Sequence, residues 1–98
     1  MREVVISGLV KDKIAELELY LIDELKLSEN TALRRSAKMR KFVLSLRNEA
    51  DYPLCRFKKW RVMGYRCAVF EKDWVFAYEL FEGGIIVRDM SHTLLLSE

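Results

Sequence analysis

The chain has 98 residues, 51% of them apolar, and carries two Trp, four Tyr and five Phe. That length suits a single domain over residues 1–98 that removes roughly two-thirds of its unfolded surface from water, and the composition excludes a disordered or low-complexity chain. The net charge of +2 conceals a segregation: residues 34–66 hold eleven Lys and Arg with only Glu49 and Asp51 as acids, while the segments on either side are acidic.

Charge gathered in this way is either a solvated helix face or a field set out for a polyanion. Cys55, Cys67 and the one histidine fall short of a zinc-ligand pattern, so no metal or other cofactor is implied. Free thiols in a reducing cytosol are expected. No segment approaches the ~20 apolar residues of a membrane span, and the first six residues form no signal-peptide core, so a cytoplasmic protein without membrane contact is expected.

In chain order, residues 3–6 are β-rich and end at Ser7, whose hydroxyl suits a helix cap. Val10, Ile14, Leu17, Leu21 and Leu25 then recur at helical spacing with acids between them, which predicts an amphipathic acidic helix. After a break at 27–30, with Ser28 as cap, a second helix is predicted to about residue 48, with Ala32, Leu33, Ala37, Met39, Val43, Leu44 and Leu46 as its apolar positions. Arg34, Lys38 and Lys41 stand at i, i+4 and i+7, and with Arg35 beside them they make one positive stripe. Asp51 and Pro53 mark 49–54 as a loop. Four strands are predicted after it: a basic one at 55–62, then 65–71, 74–82 and 85–90. Lys72-Asp73 and, more strongly, Gly83-Gly84 read as two-residue hairpin turns. The fold class is therefore α+β, β-α-α-β-β-β-β, with an N-terminal strand, a two-helix hairpin and a twisted, mainly antiparallel sheet.

Two-residue turns fix a register in which Arg66 opposes Glu79 and Glu79 opposes Arg88. That row is either a cross-strand salt-bridge ladder or a device in which Glu79 holds two guanidinium groups for a phosphate. The same register sends Cys67, Val69, Trp74, Phe76, Tyr78, Leu80, Ile85 and Val87 toward the helices and leaves the charged row on the outer face. His92, after the last strand, is either an ordinary surface residue or a proton-transfer group. Trp60, between Lys59 and Arg61, is a core plug or a stacking platform for a base. The run Thr93, Leu94, Leu95, Leu96 is a packed tail or edge strand, or else a partner site.

One strand, two helices and a final sheet, with a basic segment leading into Gly64-Tyr65-Arg66 and a last strand reading Ile86-Val87-Arg88-Asp89-Met90-Ser91-His92, resembles the RelE and ParE superfamily of bacterial toxins. The resemblance spans nearly the whole chain and rests on short motifs. It implies the toxin component of a type II toxin-antitoxin system, neutralised by a cognate antitoxin protein. RelE-type members cleave messenger RNA in the ribosomal decoding site without metal, which implies an endoribonuclease with the ribosome and mRNA as partners. On that likeness Arg66, Arg88 and His92 are the catalytic residues, and Arg56, Lys58, Lys59 and Arg61 contact RNA. The register adds Glu79 as support for the arginines, and the charge stripe adds Arg34, Lys38 and Lys41 to RNA binding from the second helix. The implied chemistry is attack of a ribose hydroxyl on the adjacent phosphorus, with arginines meeting the charge that develops on the phosphoryl oxygens. ParE-type members poison DNA gyrase instead and usually carry a basic tail, whereas residues 93–98 contain no Lys or Arg. A third alternative is a non-catalytic module whose basic belt docks an acidic antitoxin.

Overall fold

The computed structural model describes residues 3–46 and 52–96. Strand β1 (Glu3–Ile6) leads into helix α1 (Gly8–Asp23) through Ser7, whose hydroxyl accepts the Val10 N–H at 3.3 Å. Helix α1 buries Val10, Ile14 and Leu21 and ends where Lys26 takes a φ of 56° and the Leu27 N–H returns to the Leu21 carbonyl. Helix α2 (Glu29–Ser45) is capped by Ser28 and buries Ala32, Ser36, Met39 and Val43. Of the predicted apolar positions, Leu33, Ala37 and Leu44 are exposed instead. The predicted end of this helix near residue 48 and the start of the following loop lie outside the described residues.

The predicted strand at 55–62 does not form. Residues 58–61 make a single helical turn, α3 (Lys58–Arg61), with Trp60 buried beneath it. Strands β2 (Arg66–Phe70), β3 (Trp74–Phe81) and β4 (Gly84–His92) follow, and a 3₁₀ turn (Thr93–Leu95) ends the described chain. The sheet order is β1-β4-β3-β2, antiparallel except that β1 pairs in parallel with β4. The result is α+β with a four-stranded mixed sheet, one strand fewer than expected after the helices. Among the described residues no helix is long and apolar enough to cross a membrane.

Both hairpins are out of the predicted register. Phe70 pairs with Trp74, so the first turn has three residues, with Glu71 and Lys72 at φ 49° and 70°. Phe81 pairs with Gly84, so the second turn is Glu82-Gly83 and Gly84 belongs to the strand. Tyr78 pairs with Val87 while Ala77 pairs with Asp89, which makes Arg88 the extra residue of a β-bulge. A shift of one residue exchanges sheet faces. Phe76, Tyr78, Ile85 and Val87 face the helices as expected, but Ala68, Phe70 and Met90 join them, Cys67 packs on the other side and Val69 is exposed.

The outer face is not open. A second small core of Cys55, Phe57, Trp60, Val75 and Ala77 covers part of it, with Tyr65, Cys67 and Leu96 packed alongside. Cys55 and Cys67 are joined in a disulfide rather than free. The two sulfurs are brought together because Cys55 N–H bonds the Tyr65 carbonyl and Leu54 bridges Arg66, laying this segment antiparallel along the edge of β2.

Candidate functional site

His92 is the last residue of β4, opposite Trp74. Strand β1 pairs only as far as Val87, so nothing in the sheet flanks the outer edge of this end of β4. The indole of Trp74 meets the imidazole edge-on, with ring centroids 5.2 Å apart at 77°. The Leu94 N–H donates to His92 Nδ1 at 3.2 Å as the chain enters the 3₁₀ turn. With Nδ1 accepting, the neutral ring carries its proton on Nε2.

Two adjoining hollows open beside His92, of about 640 Å³ and 450 Å³, sharing Leu17, Tyr20, Trp74 and His92 in their walls. The larger is bounded also by Arg35, Lys38, Glu71 and Asp73, and the smaller by Lys13, Glu16 and Ser91. Lys38 is held by Glu71 at 2.6 Å. Lys13 donates to Asp89 Oδ1 at 2.7 Å and to the Met90 carbonyl at 2.9 Å. Asp89 Oδ2 accepts from the Trp60 indole N–H at 3.3 Å, so this carboxylate fastens both α1 and the outer segment to β4. Burial alone would raise its pKa, but Lys13, the Met90 N–H and Trp60 together hold it below the ordinary carboxylate value.

The predicted row of Arg66, Glu79 and Arg88 does not assemble. Arg66 pairs with Tyr78, stands on the face shared with Ala68 and Phe70, and donates to the Tyr52 carbonyl. Glu79 belongs to the face of Val75 and Ala77, where Arg88 Nε donates to its Oε1 at 2.7 Å. The Arg88–Glu79 pair therefore forms, brought about by the bulge rather than by direct opposition, and Arg66 is on the opposite side of the sheet. His92 shares the face of Arg66 but lies on the far side of β3 and four positions, or about 13 Å, further along the strand direction. The structure thus brings together none of the three residues expected to act jointly.

The basic segment divides into two surfaces. On α2, Arg34, Lys38 and Lys41 are all exposed, as the helical spacing predicted. Arg40 is withdrawn from that stripe by Glu18 at 2.9 Å and by Ser36. On the outer segment Arg56, Lys58, Lys59 and Arg61 are exposed around Trp60, which is only 3% exposed. Trp60 is consequently a core plug, with Lys59 Nζ 4.9 Å from its ring centroid, and it has no free face for a base.

Lys13, Tyr20 and Trp74 were not singled out as site residues from the sequence. The alternation of β3 and the helical period of α1 gave their elements, but only the register shows that they meet at His92. No group of His, Cys, Asp and Glu that could hold a metal ion occurs among the described residues. The sequence matches no protein-family model and no curated protein.

Proposed function

We propose that this chain is the toxin of a bacterial type II toxin-antitoxin system, of the RelE/ParE kind, acting on ribosome-bound messenger RNA without metal and held in check by a cognate antitoxin. The observation that carries the reading is the setting of His92, a half-buried imidazole at a strand end, in the wall of hollows whose rim carries Lys13, Arg35 and Lys38. The strand-helix-helix-sheet order and the exposed cations of α2 and the outer segment support the same reading.

In RNA cleavage by the neighbouring ribose hydroxyl, that oxygen loses a proton as it attacks phosphorus, and the departing oxygen gains one. With the Leu94 N–H on Nδ1, the neutral ring presents Nε2–H and is set to give a hydrogen bond to a phosphoryl oxygen. To pass a proton to the leaving oxygen it must first be protonated at Nδ1, giving up the Leu94 bond. Acting as the base would require the ring to shift its proton to Nδ1 and give up the Leu94 bond. The base is therefore assigned to the ribosomal surroundings of the substrate, and the charge-stabilising cations to Lys13, Arg35 and Lys38 on the side of His92. Arg66 and Arg88, on opposite faces, are assigned to docking and to holding the sheet.

Induction in cells lacking the antitoxin tests the proposal. Pulse-labelled protein synthesis should stop while DNA synthesis continues, and His92→Gln should cut mapped mRNA cleavage by about 10²-fold. Unchanged cleavage in His92→Ala would remove this site. DNA-damage signalling with continued translation would indicate a gyrase poison, and absence of toxicity a non-catalytic module that docks its antitoxin.

A further inference from the structure

The disulfide between Cys55 and Cys67 closes a loop over a sequence separation of 12, and the eleven residues inside it include Arg56, Lys58, Lys59, Arg61 and Arg66 and no acid. The lobe is held to the sheet by the sulfurs together with a small buried core and a few hydrogen bonds. Phe57 and Trp60 meet edge to face and share a buried cluster with Val75 and Ala77, the Trp60 indole reaches Asp89, and backbone bonds tie Cys55 to Tyr65 and Cys67 to Pro53. Mutual repulsion among the cations works against that packing, and the nearby carboxylate of Asp89 is already engaged by Lys13. The bond therefore ties both ends of the segment that carries Arg56, Lys58, Lys59 and Arg61 to the edge of β2, with Arg66 on the opposite face of the sheet.

We propose that this lobe is a docking surface for the phosphate backbone of single-stranded RNA, and that its affinity is switched by the redox state of Cys55–Cys67. The proposal rests on the RNA-directed reading above. A dithiol reductant attacks the bond at Cys67, which is half-buried, rather than at Cys55, which is 1% exposed. The Cys67–Cys55 bond breaks as a mixed disulfide forms, and the second thiol of the reductant then displaces Cys67. Two electrons pass to the cysteines, each takes a proton, and the reductant leaves as its own disulfide. Freed from the bond, the lobe swings from the sheet and its cations spread, so that fewer phosphates are met at once.

The test is anisotropy of a labelled oligouridylate against the oxidised chain, the chain reduced with dithiothreitol, and the Cys55→Ser/Cys67→Ser variant, each across a salt series. Neutralisation of four phosphates gives the oxidised chain a slope of log affinity on log salt near −2.8, with roughly tenfold weaker binding and a shallower slope on reduction. The double variant should match the reduced chain and ignore dithiothreitol. Equal affinity in both redox states would overturn the switch while leaving RNA binding intact, and no binding in either state would overturn both. Because the switch is confined to the lobe, far-UV circular dichroism should persist on reduction; its global loss would also overturn the proposal.

Discussion

Gly83 and Gly84 are adjacent, and each is required for a different reason. Gly83 has a φ of 97°, a conformation that side chains oppose, but a Cβ there would meet no atom within 4 Å. Gly84 has an ordinary φ, yet a Cβ would stand 2.1 Å from the Glu3 carbonyl oxygen, so β1 has to move off β4 to admit one. Gly84→Ala is accordingly expected to cost about 3 kcal/mol and Gly83→Ala only about 1 kcal/mol. Urea midpoints at constant slope would rank them, and equal midpoints would show that β1 yields without penalty.

Asp89 provides the second test at this scale. Its folded-state pKa is lowered, so its bonds contribute stability above the ordinary carboxylate range, and that contribution is lost as pH falls through the lowered value. Glu18 acts in the same direction, its pKa lowered chiefly by the Ser36 hydroxyl and further by Arg40, against the opposing effect of burial. Stability should therefore fall below about pH 4, and Asp89→Asn should flatten that fall while lowering stability at neutral pH. Parallel acid-denaturation curves for the two proteins would contradict this.

At the level of elements, the helices were legible because their information is local. Ser7 and Ser28 cap where predicted, and Val10, Ile14, Met39 and Val43 face the core. The sheet was legible as strands but not as a register. Lys72-Asp73 and Glu71-Lys72-Asp73 are both acceptable turns by composition, and they differ by the one residue that decides which face of β2 is buried. The bulge at Arg88 carried no sequence mark either, since a strand containing an extra residue still reads as a strand. The turn adopted by the chain places two non-glycine residues at positive φ. Lys72→Gly should consequently raise stability by roughly 1 kcal/mol, read as an upward shift in Tm, because glycine accepts that backbone without a Cβ contact. A lower Tm would mean that flexibility gained by the unfolded chain outweighs the strain relieved. Residues 55–62 misled for a further reason: apolar and basic residues alternate on either side of Lys58-Lys59, which imitates a half-buried strand, whereas the disulfide and the buried Trp60 hold them as a lobe.

Across the whole molecule, the positive segment seen in the sequence becomes two separate surfaces, one on α2, where Arg35 and Lys38 reach the hollow beside His92 while Arg34 and Lys41 do not line it, and one on the disulfide-closed lobe. The candidate site was legible only in part: His92 stood out as the one histidine, but its neighbours Lys13, Tyr20 and Trp74 come from α1 and β3 and depend on a register that the sequence left open. This separation has a kinetic consequence for the proposed ribonuclease. Charges remote from the reacting phosphate act on encounter and binding, whereas a group that touches it acts on turnover. Arg34→Ala/Lys41→Ala should therefore raise KM for ribosome-bound message several-fold at low salt and lose that effect at high salt, with kcat unchanged. His92→Gln should lower kcat by about 10²-fold with little change in KM or its salt dependence. If the α2 substitutions lowered kcat and left KM alone, the reacting phosphate would have to lie against the stripe itself.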